Sequence, residues 1–341
     1  MWSRSNRFIG TVYYRGCKLG IVSSVTSIGR DAFYWCFSLT KVNYLGTIDQ
    51  WAEIEFEASD SNPTYFTEDL YIQGELVEEV KITTATKIGA CAFYNCQSIK
   101  SIEIPDSVTS IGDGAFGGCS SLTSIVIPDS VTSIGDNAFS SCASVTSIEI
   151  PDSVTSIGSS AFYNCSSLTK VNYLGTINQW VEIEFENSNS NPTYYAEDLY
   201  IQGKLVEEVK ITTATKILSY AFRNCKSIKS VEIGNSVTSI GSSAFYNCTN
   251  LQYNIKDGVK YLGNEINKYL FAVSVVDVEG SVVRIAESCK NLVYCSFDEY
   301  DGRIYFEGAM EQWNKIIKSE WWRGYDSSAS YVQCLDGRVY F

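Results

Sequence analysis

Residues 107–129, SVTSIGDGAFGGCSSLTSIVIPD, are followed at once by a near copy of themselves, residues 130–152, SVTSIGDNAFSSCASVTSIEIPD. The opening motif S-V-T-S-I-G, or a variant of it, begins at Ser24, Thr84, Ser107, Ser130, Ser153, Thr213 and Ser236. A phenylalanine follows nine residues after each start, and a cysteine three residues later. Self-similarity at a fixed spacing of 23 residues is the signature of a repeat architecture, in which stacked units bury each other's apolar faces.

Each unit predicts a short strand followed by turns. The stretch S-L-T-S-I-V-I alternates apolar and outward residues, which is typical of a strand with one buried face. Pro128 ends the strand because proline cannot donate to a ladder, and Gly135 is expected to permit a turn. Ala138, Phe139 and Cys142 have the spacing of one helical or 3₁₀ turn.

The segment Gly112–Gly117, GDGAFG, is a formal match to the dinucleotide motif G-x-G-x-x-G. Its sister copy reads GDNAFS, so the glycines are not required elsewhere in the array. The match is therefore interpreted as an accident of the repeat, and no nucleotide or other cofactor is predicted.

Composition excludes several function classes. The net charge is −13, from 39 acidic and 26 basic residues, so the clustered cations of a non-specific nucleic-acid binder are missing. The chain has no histidine and no Cys-x-x-Cys, which removes His-dependent catalytic sites and common zinc sites. No catalytic or metal residue is predicted, no apolar run predicts membrane insertion, and the N-terminus does not read as a signal peptide.

The pattern L-x-x-I-x-I-P-D-x-V-T-x-I-G-x-x-A-F-x-x-C-x-S, here residues 122–144, resembles the BspA-type leucine-rich repeat family. The resemblance implies a right-handed, curved, β-rich leucine-rich-repeat solenoid. A parallel β-sheet is expected on one face, with short turns, 3₁₀ and extended segments on the other. It also implies a cell-surface or secreted protein linked to adhesion.

Two long coils interrupt the rhythm. The 48 residues from Lys41 recur from Lys170 with seven substitutions. Thr47 is expected to cap a short helix, Asn62-Pro63 to form a turn, and Gln73-Gly74 to form a hairpin turn. We predict a solenoid over residues 1–250 with elongated coils at about 41–83 and 170–212, and degenerate repeats over 251–341 that continue the same solenoid. One continuous sheet is expected to place Lys41 beside Glu79.

The repeated cysteines allow two interpretations. An inward cysteine after an inward phenylalanine suits a small apolar filler with a free thiol. Adjacent coils about 4.8 Å apart also lie within range of a disulfide. Cys17 and Cys91 stand off the regular column, as do the C-terminal Cys289, Cys295 and Cys334.

The long coils supply the first candidate site. Trp51, Trp180 and Trp313 are expected to fill the larger cross-section of these coils. Aromatic residues on protruding loops are frequent binding hot spots. The candidate protein-binding residues, which follow the Asn-Pro turns, are Tyr65, Phe66, Tyr194 and Tyr195.

The strand face supplies the second candidate site. Glu103, Glu149 and Glu232 point outward from the strands and are candidates to meet a basic protein partner. The alternative is a solvated sheet that binds nothing.

The sequence favours a non-catalytic protein–protein interaction module, working in cell-surface adhesion or in binding a host or matrix protein. A structural spacer array without a specific ligand is the alternative. A hydrolase using Glu53, Glu55, Glu182 and Glu184 is a further one. The recurring Asp106, Asp129 and Asp152 are interpreted as turn residues rather than calcium ligands.

Overall fold

The computed structural model describes residues 12–15, 18–33, 35–256, 259–263, 271–275, 283–292, 304–318 and 331–340. The chain divides into two compact units, which are described separately. Unit 1 comprises Met1–Gly175 and Ile183–Lys204, and unit 2 comprises Thr176–Glu182 and Leu205–Phe341. The domain boundary near residue 250 stays a prediction.

The described elements are short strands with a few helices of four to six residues. The helices are α1 Ile48–Ala52, α2 Thr64–Thr67, α3 Ile177–Trp180, α4 Thr193–Ala196 and α5 Met310–Lys315, with a 3₁₀ turn at Ser59–Ser61. The first strands are β1 Val12–Arg15, β2 Lys18–Ile21, β3 Ser27–Ile28, β4 Lys41–Tyr44, β5 Glu55–Phe56, β6 Leu70–Ile72, β7 Glu75–Leu76, β8 Glu79–Lys81, β9 Ser101–Glu103 and β10 Ser110–Ile111. The next are β11 Ser124–Val126, β12 Ser133–Ile134, β13 Ser147–Ile150, β14 Ser156–Ile157, β15 Lys170–Tyr173, β16 Glu184–Phe185, β17 Leu199–Ile201, β18 Lys204–Leu205, β19 Glu208–Ile211, β20 Lys216–Ile217, β21 Ser230–Ile233 and β22 Ser239–Ile240. The last are β23 Asn254–Lys256, β24 Val259–Leu262, β25 Phe271–Val275, β26 Val283–Ile285, β27 Asn291–Leu292, β28 Ile304–Phe306, β29 Ile317–Lys318, β30 Tyr331–Cys334 and β31 Gly337–Tyr340.

Unit 1 stacks its repeats through parallel strands in constant register. Ser124 of β11 pairs with Ser101 of β9 and Ser147 of β13, so equivalent residues of successive coils are direct neighbours. The seven-stranded sheet has the order β18-β17-β15-β13-β11-β9-β8. A second parallel sheet of two-residue strands, β10-β12-β14-β16, joins three S-I segments to Glu184–Phe185 of the second long coil. The sequence predicted the first sheet but not the second.

The turns form a third line of bonds between coils. The Phe93 N–H donates to the Ala115 carbonyl at 2.7 Å, and the Phe116 N–H donates to the Ala138 carbonyl at 2.8 Å. The residue before each cysteine of the column has a positive φ, for example 59° at Asn95 and 80° at Gly118. Asn and Gly tolerate this left-handed conformation best, which explains their recurrence there.

A column of stacked rings fills the core of unit 1. The ring centroids of Phe93, Phe116, Phe139 and Phe162 are separated by 5.2, 5.5 and 5.6 Å along the column. All four side chains are buried. Aromatic pairs contribute roughly 0.5–1.5 kcal/mol beyond the area they bury, so a fixed register stabilises the array at every step.

The repeated glycine serves close packing rather than a turn. Gly135 has no positive φ, but a Cβ atom added there would lie 2.7 Å from the Asp113 backbone nitrogen of the preceding coil. The same contact is 2.6 Å between Gly158 and Asp136. A side chain at Gly135 or Gly158 would therefore push the adjacent coils apart.

The cysteine column also points back to the preceding coil. The Sγ atoms of Cys119, Cys142 and Cys165 each lie 3.2 Å from the carbonyl oxygen of a phenylalanine in that coil. These three are buried free thiols. Burial raises the pKa of Cys165 to about 12, so its thiol stays protonated and donates. Cys17 and Cys295 lie outside the described residues.

The long coils end in hairpins, which corrects one expectation. Val42 of β4 pairs with Leu70 of β6, and the chain then turns back through β7 in an antiparallel hairpin. Lys41 is therefore not beside Glu79, which begins a separate sheet with β8. The expected Gln73-Gly74 turn is confirmed, with φ values of 51° and 94°. Asn43 Oδ1 accepts the Gly74 N–H at 2.7 Å and ties the hairpin to β4.

Helix α1 pins the first long coil to the following segment. Thr47 caps this helix, with Gln50 completing the capping box, as expected. Asp49 Oδ1 accepts backbone N–H bonds from Thr83, Thr84 and Ala85 at 2.6–3.0 Å. Burial alone would raise the pKa of this carboxyl, but the three backbone donors and the Thr83 hydroxyl lower it to about 2. In unit 2, Asn178 Oδ1 accepts the matching bonds.

Unit 2 begins with paired parallel strands and then departs from the repeat. Strand β19 pairs with β21 and β20 with β22. Strands β23, β24 and β25 run antiparallel, which the sequence did not predict. Parallel pairing returns in β26-β28-β30, and Trp313 on α5 is buried as expected. Gln312 Oε1 accepts the Ala309 N–H at 2.7 Å, as Gln50 does at Thr47.

Asp49→Asn is expected to make the chain less sensitive to acid. The Asp49 pKa is depressed on folding, so its contribution is complete above pH ~4 and is lost as pH falls towards 2. The amide oxygen of asparagine keeps the three bonds at every pH. Urea unfolding measures the free energy of unfolding at pH 5 and at pH 2.5. Between these two pH values the variant should lose about 1 kcal/mol less than wild type, a difference kept small because solvent screens part of the effect. Asn178→Asp should instead increase the fall in the free energy of unfolding between pH 5 and pH 2.5. If the free energy of unfolding of both variants changed with pH as it does in wild type, this assignment would be contradicted.

Candidate functional site

Five aromatic side chains of unit 1 form one continuous surface group, here called the aromatic cluster: Trp35, Phe37, Tyr65, Phe66 and Tyr94. Neighbouring ring centroids lie 5.2 Å apart for Trp35–Phe37, 5.8 Å for Phe37–Phe66, 5.1 Å for Phe66–Tyr65 and 6.1 Å for Tyr65–Tyr94. Trp35 is 68% exposed, Phe37 69% and Tyr65 44%. The predicted pair Tyr65 and Phe66 is thus the middle of a larger exposed group.

Trp35 is held in a conformation that disfavours its side chain. Its φ is 63°, the left-handed value shared by every residue before a column cysteine. The sister positions hold Asn, Gly or Ser. A left-handed L-residue costs on the order of 1–2 kcal/mol, more acutely for a bulky one. Strained, exposed residues of this kind concentrate at functional sites.

Helix α2, which carries Tyr65 and Phe66, is fixed to the next coil by buried polar groups. Asn62 Nδ2 donates to the carbonyls of Cys91 and Ala92 at 2.8 and 2.9 Å, while Asn62 Oδ1 accepts the Thr64 N–H. Thr64 Oγ1 donates to the Tyr94 carbonyl at 2.6 Å. The expected Asn-Pro turn is therefore also the anchor of the helix, and the cluster is built on a rigid support.

The chain segments that carry the cluster are acidic. The three segments that carry it, residues 29–39, 57–69 and 89–98, contain a single basic residue, Arg30. They contain five acidic ones, here called the acidic rim: Asp31, Glu57, Asp60, Glu68 and Asp69. Glu57 Oε2 accepts the Arg30 backbone N–H at 2.9 Å. Burial, and then the neighbouring Tyr65, raise the pKa of Tyr94, so this ring stays neutral at physiological pH.

The second long coil repeats the backbone but not the surface. Tyr194 and Tyr195 lie on α4 with ring centroids 5.0 Å apart, and both are half-buried. The Tyr195 hydroxyl accepts the Asn164 N–H at 2.8 Å. Just before the second long coil, Asn164 and Ser166 hold the positions that Trp35 and Phe37 hold just before the first. The two predicted aromatic pairs are therefore in different settings, one apolar and one polar.

The strand-face candidates are engaged with their neighbours. Glu103 forms an ion pair with Lys81 at 3.0 Å, and Glu149 accepts a bond from Asn172 Nδ2 at 2.9 Å. Val126 lies between these two carboxylates and is 62% exposed. Glu232 lies in unit 2 and pairs with Lys210 at 2.8 Å. Neighbouring strands thus already supply donors to these three residues.

Three of the four carboxylates named for the hydrolase alternative contact neighbouring segments of the chain. Glu53 Oε1 accepts the Thr86 N–H at 2.8 Å, and Glu55 forms an ion pair with Lys87. Glu182 Oε1 accepts the Thr215 N–H within unit 2. Within the described ranges, no three His, Cys, Asp or Glu side chains are grouped to hold a metal ion.

The family model of the BspA type leucine rich repeat region matches residues 3–86, 86–204 and 196–299, with six copies. The chain belongs to this family. No curated protein matches it. In the described part of the chain, no helix has the length and apolar character needed to cross a bilayer.

Solved structures of other leucine-rich repeat proteins are similar at low identity. A leucine rich cell surface protein from Faecalibacterium prausnitzii is 21% identical, covering 94% of this chain and 98% of that one, with a TM-score of 0.45. A leucine-rich repeat protein from Bacteroides ovatus is 18% identical, covering 92% and 76%, with a TM-score of 0.39. TM-scores below 0.5 add nothing to the assignment, which rests on the family model.

Two of the cluster residues that sequence reasoning missed stand out when the chain's own BspA-type repeats are compared with one another. Trp35 breaks a position otherwise held by Asn, Gly or Ser, and Phe37 breaks one held by small or polar residues and Lys226. Both lie before Lys41, outside the long coil that supplied the predicted pair. Tyr94 has no comparable signal, since tyrosine recurs at that position in Tyr163 and Tyr246.

Trp35→Asn is expected to leave the free energy of unfolding within about 1 kcal/mol of wild type. Asparagine relieves the left-handed strain, which offsets the lost pairing of Trp35 with Phe37. Urea denaturation followed by circular dichroism measures the change. The matched variant Asn164→Trp introduces the strain at the equivalent position before the second long coil and should lower the free energy of unfolding by about 1 kcal/mol. Equal effects of the two variants would show that Trp35 is not strained.

Proposed function

We propose that the protein is a non-catalytic protein-binding module that works in adhesion at the cell surface, and that the aromatic cluster is its principal contact. The observation that carries the proposal is the outward Trp35, which is 68% exposed and held at a φ of 63°. A spacer array gains nothing from an exposed, strained tryptophan. A binding module gains apolar contact area when it buries this ring against a partner.

The cluster has the features of a binding hot spot. Trp and Tyr are enriched at such sites because they bury large areas with few rotatable bonds. Large exposed apolar patches are rare on monomeric proteins unless they contact something. Buried hydrogen bonds from Asn62 and Thr64 fix α2, so binding loses little further conformational entropy.

Family membership supports the surface assignment, since the BspA-type resemblance implies exported adhesion proteins. The residues of the second long coil, Tyr194 and Tyr195, and the strand-face carboxylates Glu103, Glu149 and Glu232 remain candidates for further contacts. They are weaker candidates because their polar groups already have partners within the chain.

The test is a binding screen of the full chain against immobilised cell-surface and extracellular-matrix proteins. Saturable binding is expected, with affinity at least tenfold weaker for the double variant Trp35→Asn and Phe37→Ser. This variant copies the residues of the second long coil, so the fold should tolerate it. Tyr246→Ala, an exposed tyrosine of unit 2, is the matched control and should bind like wild type.

Other outcomes separate the alternatives. Binding that survives the cluster variant but is lost on Tyr194→Ala with Tyr195→Ala moves the site to the second long coil. Loss on Glu103→Gln with Glu149→Gln moves it to the strand face. Absence of saturable binding to every protein of the panel favours the spacer array and contradicts the proposal.

A further inference from the structure

Carboxylates on the two candidate faces differ in whether the chain neutralises them. Along the strands, lysines of neighbouring coils pair with them: Lys81 with Glu103 at 3.0 Å, Lys100 with Glu78 at 2.7 Å, and Lys210 with Glu232 at 2.8 Å. Among the described residues, no member of the acidic rim takes part in an ion pair. On the strand face, lysines of the same face neutralise Glu103 and Glu232. The segments that carry the aromatic cluster keep an excess of negative charge.

The rings of the cluster also differ from exposed tyrosines elsewhere in the chain. Lys41 Nζ lies 3.5 Å from the centroid of Tyr71, and the Arg223 guanidinium lies 4.3 Å from the centroid of Tyr246. Within the described part of the chain, no cation lies over the rings of Phe37, Tyr65 or Phe66. Electron-rich faces next to unpaired carboxylates attract cations from outside.

We infer that the partner presents a cationic polypeptide segment, with Arg or Lys next to an apolar side chain, to the aromatic cluster. The apolar side chain packs against Trp35, Phe37 and Phe66. The cation stacks on Tyr65 and pairs with Asp31, Glu68 or Asp69. The inference rests on the proposed function and adds the chemistry of the partner to it.

The same charges argue against two other occupants. An anionic lipid surface is repelled by the rim. A neutral glycan can stack on the rings but gains nothing from the carboxylates. A protein segment that combines an apolar anchor with Arg or Lys uses both features, and Arg is a preferred hot-spot residue.

The test is a display selection of random 12-residue peptides on the immobilised full chain. Each selected peptide is then also measured on the chain that carries Trp35→Asn and Phe37→Ser. Selected peptides are expected to be rich in Arg or Lys beside Trp, Phe or Leu. One synthetic peptide is then titrated by fluorescence anisotropy. Raising sodium chloride from 50 to 500 mM should weaken its binding about tenfold, because exposed charges are screened.

Charge variants locate the effect. The triple variant Asp31→Ser, Glu68→Gln and Asp69→Asn should weaken the binding of the peptide about tenfold, since it removes every carboxylate with which the cation is inferred to pair. The control, Asp106→Asn with Asp129→Asn and Asp152→Asn, changes net charge equally at exposed turns outside the cluster. It should leave affinity within twofold of wild type.

The outcomes distinguish the inference from the function on which it rests. Neutral or acidic peptides that still require Trp35 and Phe37 would keep the cluster as a binding site and overturn its cationic preference. Cationic peptides that bind the cluster variant equally well would overturn both, leaving only a general effect of acidity. Binding of neutral oligosaccharides that is lost with Trp35 and Phe37, or no enrichment of cationic peptides, would also overturn the inference.

Discussion

The constant register between coils is the constraint from which the other features of unit 1 follow. Every coil must offer backbone donors and acceptors at the same three places, the long strands, the S-I segments and the turns. A repeat of fixed length stacks Phe139 between Phe116 and Phe162, and it requires glycine where the coils approach most closely. It also imposes a left-handed residue before each cysteine of the repeat column. Trp35 accepts that conformation at a cost, and this sets the first coil apart from its sisters.

Sequence reasoning reached the features that the repeat period controls. The parallel strand, the inward phenylalanine and cysteine, the Thr47 cap and the Gln73-Gly74 hairpin all follow from local patterns and are present. The sequence did not predict the break of the sheet after β7. Val42 and Val80 have the spacing of successive strand positions, but in the structure Val42 pairs with Leu70 instead. The antiparallel β23–β25 lack any repeat signal that predicts their pairing.

The candidate site was predicted in part for a related reason. Tyr65 and Phe66 were visible as aromatics after a turn, but their companions Trp35 and Phe37 lie 28 or more residues earlier in the chain and meet them only through coil stacking. The sequence also did not show which carboxylates form ion pairs. Glu103 and Asp31 are alike in the sequence, but in the structure Lys81 lies on the strand adjacent to Glu103 and pairs with it. The second long coil acts as an internal reference: its fold is matched, yet Asn164 and Ser166 leave its tyrosines in a polar setting.

The most direct test of this account is hydrogen–deuterium exchange mass spectrometry of the full chain, alone and with the tightest-binding protein of the surface panel. The account predicts slower exchange in the peptides that contain Trp35 and Phe66, and unchanged exchange in those that contain Asn164 and Tyr195. Strands β9, β11 and β13 should also exchange as in the free chain. Protection confined to those strands or to the second long coil, with Trp35 and Phe66 unaffected, would contradict it.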